Sequence, residues 1–127
     1  MGYRGQMEAL IRQSGAEARH MGHSYVGSVH LLLALCQMSG GTAQLLRSFG
    51  VEPDLLRQLT MLCYGVGRPE MPLPQGLTRA ARRILRQAAV EARRQGRREV
   101  RPAHVLLAMA REEQSGAYQM LLSLIHI

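Results

Sequence analysis

The sequence predicts an all-α protein built from two copies of one helical unit. Apolar residues recur at helical spacing through most of the chain, and no window keeps the alternation of apolar and polar residues typical of strands. The segment 17–35 recurs at 91–109, with nine identities in nineteen positions at a fixed offset of 74 and without a gap. Such a repeat predicts two related units packed together. We therefore expect one domain, 1–127, with two pseudo-symmetric halves.

The first half is expected to form four helices. A stripe of apolar residues over 6–21 predicts the first helix, which Gly22 is placed to end. Ser28 is placed to cap the second helix, which is apolar nearly all round and therefore central. Thr42 is placed to cap a short third helix, and Pro53 suits the first turn of the fourth.

A segment rich in proline and glycine, residues 64–76, reads as a linker between the two halves. It separates repeat one, residues 3–63, from repeat two, residues 77–124. Repeat two has no counterpart of the fourth helix, so we expect it to be truncated.

The second half is expected to restart the helical pattern. Thr78 is placed to cap a long helix, which Gly96 ends where Gly22 ends the first one. Pro102 opens the counterpart of the central helix, and residues 117–124 form the counterpart of the third.

The positive charge is concentrated in one segment. All sixteen basic residues are arginine, and the net charge is +7. Residues 78–101 hold nine arginines against Glu91 and Glu99, so this segment carries the whole imbalance. The arginine face of residues 79–98 could attract acidic proteins or nucleic acid, or be a solvated helix face. The absence of interleaved aromatic residues disfavours nucleic acid.

The residue pattern predicts no enzyme, no metal site and no cofactor. The phosphate-binding loop of ATPases needs a lysine, and this chain has none. His30 and His104 occupy equivalent places in the two repeats, which favours a structural bond to backbone near a helix start over catalysis or metal binding. His20 and His23 are expected at the surface, the alternative being half of a metal site.

Other side chains are expected to be structural or solvated. Cys36 and Cys63 are interpreted as buried free thiols of a reducing compartment. Glu112 and Glu113 are expected at a solvated helix end. The sequence has no apolar run of membrane-spanning length and no signal core, so we expect a cytoplasmic protein without membrane contact. Four methionines are expected in the core: Met7, Met21, Met38 and Met109.

The repeated motif resembles that of a known family. It reads E-A-x-x-x-G-x-x-x-[VI]-x-[ST]-x-H-[IL]-L-L-[AG]-[LM], from Glu17 to Leu35 and more loosely from Glu91 to Met109. In this motif the chain resembles the N-terminal domain of Clp-type AAA+ unfoldases. The resemblance covers essentially residues 3–124.

The resemblance implies a non-catalytic module that binds adaptor proteins and unfolded substrates. In the family, this domain sits on a hexameric ATP-driven ring, so a Clp ATPase ring and its protease are implied partners if the chain is part of a longer one. The isolated domain is expected to be a monomer. Some members bind phosphorylated arginine through an acidic residue before the motif histidine. Here Val29 and Ala103 occupy those two positions, which disfavours that ligand.

The candidate contacts lie at the starts of the long and central helices of both repeats. They are Arg4, Met7, Ser28, Val29, Thr78, Arg79, Arg82, Arg83 and Ala103. The alternative function is a stand-alone basic helical domain that binds nucleic acid or acidic proteins through the arginine face of residues 79–98.

Overall fold

The computed structural model describes residues 5–67 and 76–125, and the all-α prediction is confirmed for them. They form no strand, and their one β-type pairing is an isolated parallel bridge between Val26 and Leu77. None of the helices in these two ranges could cross a bilayer. The helices in chain order are α1 (Gln6–His20), α2 (Ser28–Leu35), α3 (Gly41–Ser48), α4 (Pro53–Tyr64), α5 (Arg79–Arg94), α6 (Pro102–Arg111) and α7 (Gly116–Leu124).

The internal repeat is reproduced in the helix bounds. The offset of 74 relates the ends of α1 and α5, at His20 and Arg94, and the starts of α2 and α6, at Ser28 and Pro102. Within each repeat the long helix packs along the central one, α1 on α2 and α5 on α6. Between repeats, α2 contacts α7 and α6 contacts α3. The two halves therefore exchange equivalent contacts around one core.

The central helix α2 is the middle of that core, as its apolar sequence predicted. All eight of its residues are buried. Leu32 and Leu33 are fully buried, whereas their counterparts Leu106 and Leu107 are partly exposed. The difference arises because α4 packs on α2, and no helix of the described residues occupies the equivalent place on α6.

Most predicted helix ends are confirmed, but two caps are not. Thr78 caps α5 by accepting a hydrogen bond from the Ala81 amide at 3.1 Å. The prediction that Ser28 caps α2 is wrong, because Gly27 is the N-cap and Ser28 is already helical. The prediction that Thr42 caps α3 is also wrong, because the chain turns into the helix at Gly40. Gly40 has φ +112°, a backbone conformation that favours glycine.

The start of the predicted linker packs back on repeat one. The Gly67 amide donates to the Met21 carbonyl at 2.8 Å. A Cβ on Gly22, which has φ +71°, would lie 2.6 Å from the Gly67 backbone. Glycine at this turn thus allows the chain leaving α4 to contact the turn between α1 and α2. The repeat boundaries 3–63, 64–76 and 77–124 stay a prediction, because residues 68–75 lie outside the described ranges.

The cysteines and methionines that were predicted to lie in the core differ in their burial. Cys36 is buried, and its burial raises the pKa of the thiol to about 11. The prediction that Cys63 is buried is wrong, because it lies in the last turn of α4, beyond the buried Leu56 and Thr60. Three of the four predicted core methionines are buried and one is partly buried: Met7, Met21, Met109 and, partly, Met38.

Candidate functional site

A cleft of about 370 Å³ opens where α2, α5 and α7 begin, at the junction of the two repeats. We call it the inter-repeat cleft. Val29, Tyr25 and Tyr64 supply apolar surface to it, and Tyr25 and Tyr64 are half exposed. Gly116 and Ala80 come from repeat two. Because its lining combines small and aromatic residues, the cleft can accept an apolar side chain from a partner.

Two hydroxyl groups fix the helix starts that form the inter-repeat cleft. The Ser28 hydroxyl oxygen accepts a hydrogen bond from the Ala117 amide at 2.9 Å, which joins α2 to the first turn of α7. Thr78 lies beside it as the cap of α5. The Val26 amide donates to the Gly76 carbonyl at 2.8 Å, and the Thr78 amide donates to the Val26 carbonyl at 2.9 Å. Both repeats are therefore tied together next to the inter-repeat cleft.

Tyr64 reaches across from the end of α4 to repeat two. A Cβ on Gly116 would clash with the Tyr64 hydroxyl, so the missing side chain at this position makes room for the ring. The sequence pattern places Tyr64 in the linker and indicates no role for Gly116. The available signal was the repeat itself, since Gly116 stands where the first repeat has Thr42.

The histidine of each motif closes a cap, as the structural interpretation predicted. His30 Nδ1 accepts from the Gly27 amide, and His104 Nδ1 accepts from the Arg101 amide, both at 2.9 Å. Since Nδ1 is an acceptor, Nε2 carries the proton of the neutral ring. His30 therefore donates to His23 Nδ1 at 2.8 Å, and His23 donates to the Gly65 carbonyl at 2.8 Å.

The pKa of both motif histidines is lowered, which favours the neutral ring. Burial lowers the pKa of His30 from 6.5 to about 4, with a smaller contribution from His23 that outweighs the opposing charge of Glu17. The pKa of His104 is also lowered, by burial and by the nearby Arg97 and Arg101. Protonation at Nδ1 would break the cap bond of the same helix.

We expect stability to fall as the pH drops from 6.5 towards 4. In this window the unfolded chain binds a proton at His30 that the folded protein excludes, so the loss approaches about 3 kcal/mol. Urea unfolding at pH 7 and pH 5 measures the slope. His30→Gln keeps a side chain that can accept the Gly27 amide but cannot titrate. An equal slope in the variant would contradict the assignment to His30.

A second, basic depression runs beside the first half of α5. It encloses about 610 Å³, and we call it the arginine groove. Its lining residues are Arg79, Arg82, Arg83, Arg86, Gln87 and Glu112. Glu112 does not match the predicted solvated position, because its side chain is only 19% exposed and its carboxylate lies 3.4 Å from Arg83 Nε.

The structure gathers most of the predicted contacts into these two depressions. Ser28, Val29 and Thr78 line the inter-repeat cleft. The predicted contact Met7 is fully buried, so its side chain does not reach the surface. Ala103 is exposed in the first turn of α6, outside the lining of both depressions. Three further predicted contacts line the arginine groove: Arg79, Arg82 and Arg83.

One predicted contact and the two predicted surface histidines remain. The predicted contact Arg4 lies outside the described residues. His20 is exposed, while His23 is bound to His30 and to backbone. Among residues 5–67 and 76–125, no three His, Cys, Asp or Glu side chains are arranged to hold a metal ion.

The glutamate at the start of each motif is buried and forms an ion pair with arginine. Glu17 accepts two bonds at 3.0 Å from Arg57 of α4 and one at 2.8 Å from Gln37. Burial alone would raise the pKa of Glu17, but the bonds from Arg57 and Gln37 and the charge of Arg57 lower it overall. Its counterpart Glu91 pairs with Arg111, which stands at the position of Gln37 in the repeat.

Comparison with known proteins agrees with the repeat architecture. The family described as the Clp repeat (R) N-terminal domain matches residues 3–124. The chain is 32% identical over 116 residues to the chloroplastic chaperone protein ClpC2 of Oryza sativa subsp. japonica, covering 91% of this chain and 13% of that protein.

Other relatives give similar matches. The chain is 31% identical over 113 residues to the chloroplastic chaperone protein ClpC1 of Arabidopsis thaliana, which is 88% of this chain and 12% of that protein. It is 32% identical over 113 residues to the ATP-dependent Clp protease ATP-binding subunit ClpA homolog of Guillardia theta, with 88% and 14% coverage. The chain thus spans about an eighth of the length of these relatives. It belongs to the family of Clp repeat N-terminal domains.

Proposed function

We propose that this domain docks adaptor proteins and unfolded protein substrates for a Clp-type ATPase, and that the inter-repeat cleft receives them. One observation carries the proposal: an apolar cleft is built jointly by both repeats and flanked by the half-exposed Tyr25 and Tyr64. Exposed aromatic side chains around a concave apolar surface are typical of protein-binding sites. The membership of the family adds support for the same role.

The proposal contains no catalytic step by this chain. The motif histidines are engaged in helix caps, and the motif glutamates are paired with arginine. An ATPase ring and a protease enter only as partners of a longer chain, because the relatives are named as chaperones and as a Clp protease subunit homolog. A monomeric state for the isolated domain and a cytoplasmic location remain part of this proposal, although ClpC1 and ClpC2 are chloroplast proteins.

The repeat offers a matched pair of variants to test the cleft. Val29→Asp places a carboxylate in the second position of α2, on the cleft wall, and Ala103→Asp does the same in α6, away from it. The helix dipole favours an acid at both positions, but the carboxylate at the buried Val29 position also carries a desolvation cost that the exposed Ala103 position lacks. We expect Val29→Asp to weaken capture of a fluorescent, permanently unfolded protein about tenfold and Ala103→Asp to leave it unchanged.

Because Val29 is buried, a second variant at an exposed residue controls for misfolding of Val29→Asp. Tyr64→Ser removes a half-exposed ring from the cleft wall and should also weaken capture. Far-ultraviolet circular dichroism of each variant checks that the helices are intact. Equal capture by Val29→Asp and Ala103→Asp, together with normal capture by Tyr64→Ser, would locate the docking surface elsewhere.

A further inference from the structure

The arginine groove has a regular geometry along α5. Arg79, Arg82, Arg83 and Arg86 stand at spacings of three, one and three residues, which places them on one face of the helix. From the first to the last, this face spans about 10 Å along the helix axis. Within the described residues, one of these four arginines forms an ion pair: Arg83 pairs with Glu112. The groove therefore presents a row of cations with a single internal counter-charge.

The arginine groove and the inter-repeat cleft meet at the first turn of α5. Thr78 and Ala80 line the cleft, while Arg79 and Arg82, on the other side of the same turn, line the groove. A segment of one partner can therefore contact both depressions without leaving this helix. Because an apolar site lies next to a row of cations, such a segment needs an apolar side chain for the cleft and negative charge for the groove.

We propose that the arginine groove binds an acidic segment of the partner whose apolar anchor occupies the inter-repeat cleft. This inference rests on the proposed function and specifies the chemistry of the partner. Arginine forks bind carboxylates in a bidentate geometry, so each glutamate or aspartate can pair with one guanidinium. In a polyproline II helix, a chain advances about 3.1 Å per residue with three residues per turn, so acids at every third position lie on one side. They are about 9 Å apart, close to the roughly 10 Å length of the row.

Two features favour a peptide over a nucleic acid in the arginine groove. The carboxylate of Glu112 lies inside it, where it would repel a continuous phosphate backbone but can be tolerated between separated acidic side chains. The residues that line the groove include no aromatic ring on which a base could stack.

Glu112 acts in this proposal as an internal competitor for Arg83. Its carboxylate is 3.4 Å from Arg83 Nε, at the position that a carboxylate of the partner would take. An arriving acidic segment must displace it from Arg83. Neutralising Glu112 should therefore tighten binding, the opposite of what loss of a simple structural contact would do.

The probe for the test is a fluorescein-labelled peptide of about twelve residues with a leucine anchor and glutamate at every third position, the repeat of a polyproline II helix. A second peptide replaces each glutamate with glutamine. Fluorescence anisotropy at about 0.15 M salt, where charges more than about 8 Å apart are screened, measures the dissociation constant for the whole 127-residue chain. A single-stranded oligonucleotide of similar length serves as the competing polyanion.

We expect Arg82→Glu to weaken binding of the glutamate peptide at least about tenfold. Arg98→Glu changes the net charge equally but lies in the bend after α5, outside the groove, so its effect should stay below about twofold. Glu112→Gln should tighten binding about threefold. The glutamine peptide should bind at least about tenfold more weakly than the glutamate peptide to the unaltered protein.

Three results would overturn the inference: equal losses in Arg82→Glu and Arg98→Glu, equal binding of the two peptides, or tighter binding of the oligonucleotide than of the peptide. An unchanged or weakened affinity in Glu112→Gln would overturn the competitor role of that residue. Capture of unfolded protein through the cleft is measured separately. If that capture survives while the acidic peptide fails to bind, the proposed function stands and the inference alone is wrong.

Discussion

Replacing Gly22 with alanine should lower the free energy of unfolding by about 4 kcal/mol, while the same change at Gly96 should cost about 1 kcal/mol. The two glycines end α1 and α5 at equivalent places, with φ +71° and +73°. An alanine at either site adopts the same unfavourable backbone conformation. A Cβ at Gly22 would also lie 2.6 Å from the Gly67 backbone, whereas a Cβ at Gly96 meets nothing within 4 Å. The difference between the variants measures this backbone contact.

Urea unfolding followed by circular dichroism gives both values on one scale. The Gly96 variant is the internal control, because it carries the backbone strain without the collision. Similar losses in the two variants would mean that the chain after α4 does not pack on the turn after α1. Such a result would also remove the support that this contact gives to the position of Tyr64 in the inter-repeat cleft.

Arg57→Ala should destabilise the protein by about 4 kcal/mol. The change leaves the carboxylate of Glu17, whose side chain is 6% exposed, without its cation and without two hydrogen bonds at 3.0 Å. An unpaired buried charge is far more costly than the loss of a surface ion pair. Thermal or urea unfolding measures the loss, which should be largest at neutral pH, where Glu17 is ionised.

The double variant Glu17→Gln, Arg57→Ala is the control for this reasoning. It removes the buried charge together with its partner, so it should be more stable than Arg57→Ala alone. Arg111→Ala should cost less than Arg57→Ala, because Arg111 is half exposed and Arg94 also lies 3.6 Å from the carboxylate of Glu91. If the double variant is no more stable than Arg57→Ala, the cost comes from lost packing of the arginine stem.

The repeat and the helix ends could be predicted because they depend on local sequence. The nine identities at an offset of 74 predicted that α1 is equivalent to α5 and that α2 is equivalent to α6. The proline and threonine signals located three helix starts, at Pro53, Thr78 and Pro102. The structural role of the two motif histidines followed from their duplication. For the Thr78 cap and the two histidine caps, the bonded neighbour lies three residues away along the chain.

The wrong predictions concern residues whose environment is set by a partner distant in sequence. Ser28 has the composition of a cap, but its hydroxyl is engaged by Ala117, which lies 89 residues away. Cys63 fits an apolar stripe, yet it lies beyond the part of α4 that is buried on α2. Tyr64 reads as linker until its contact with Gly116 is seen. Residue type alone did not indicate which of these surfaces meet.

The different partners of the two motif glutamates give the two repeats different folding requirements. Glu17 is neutralised by an arginine 40 residues away, so repeat one must bring α4 onto α1 and α2 before its buried charge is compensated. Glu91 is neutralised by an arginine 20 residues away, within the hairpin of α5 and α6. Closing the shorter loop has the lower entropic cost. The α5–α6 hairpin therefore compensates its buried carboxylate by itself, whereas the α1–α2 hairpin depends on a third helix for this.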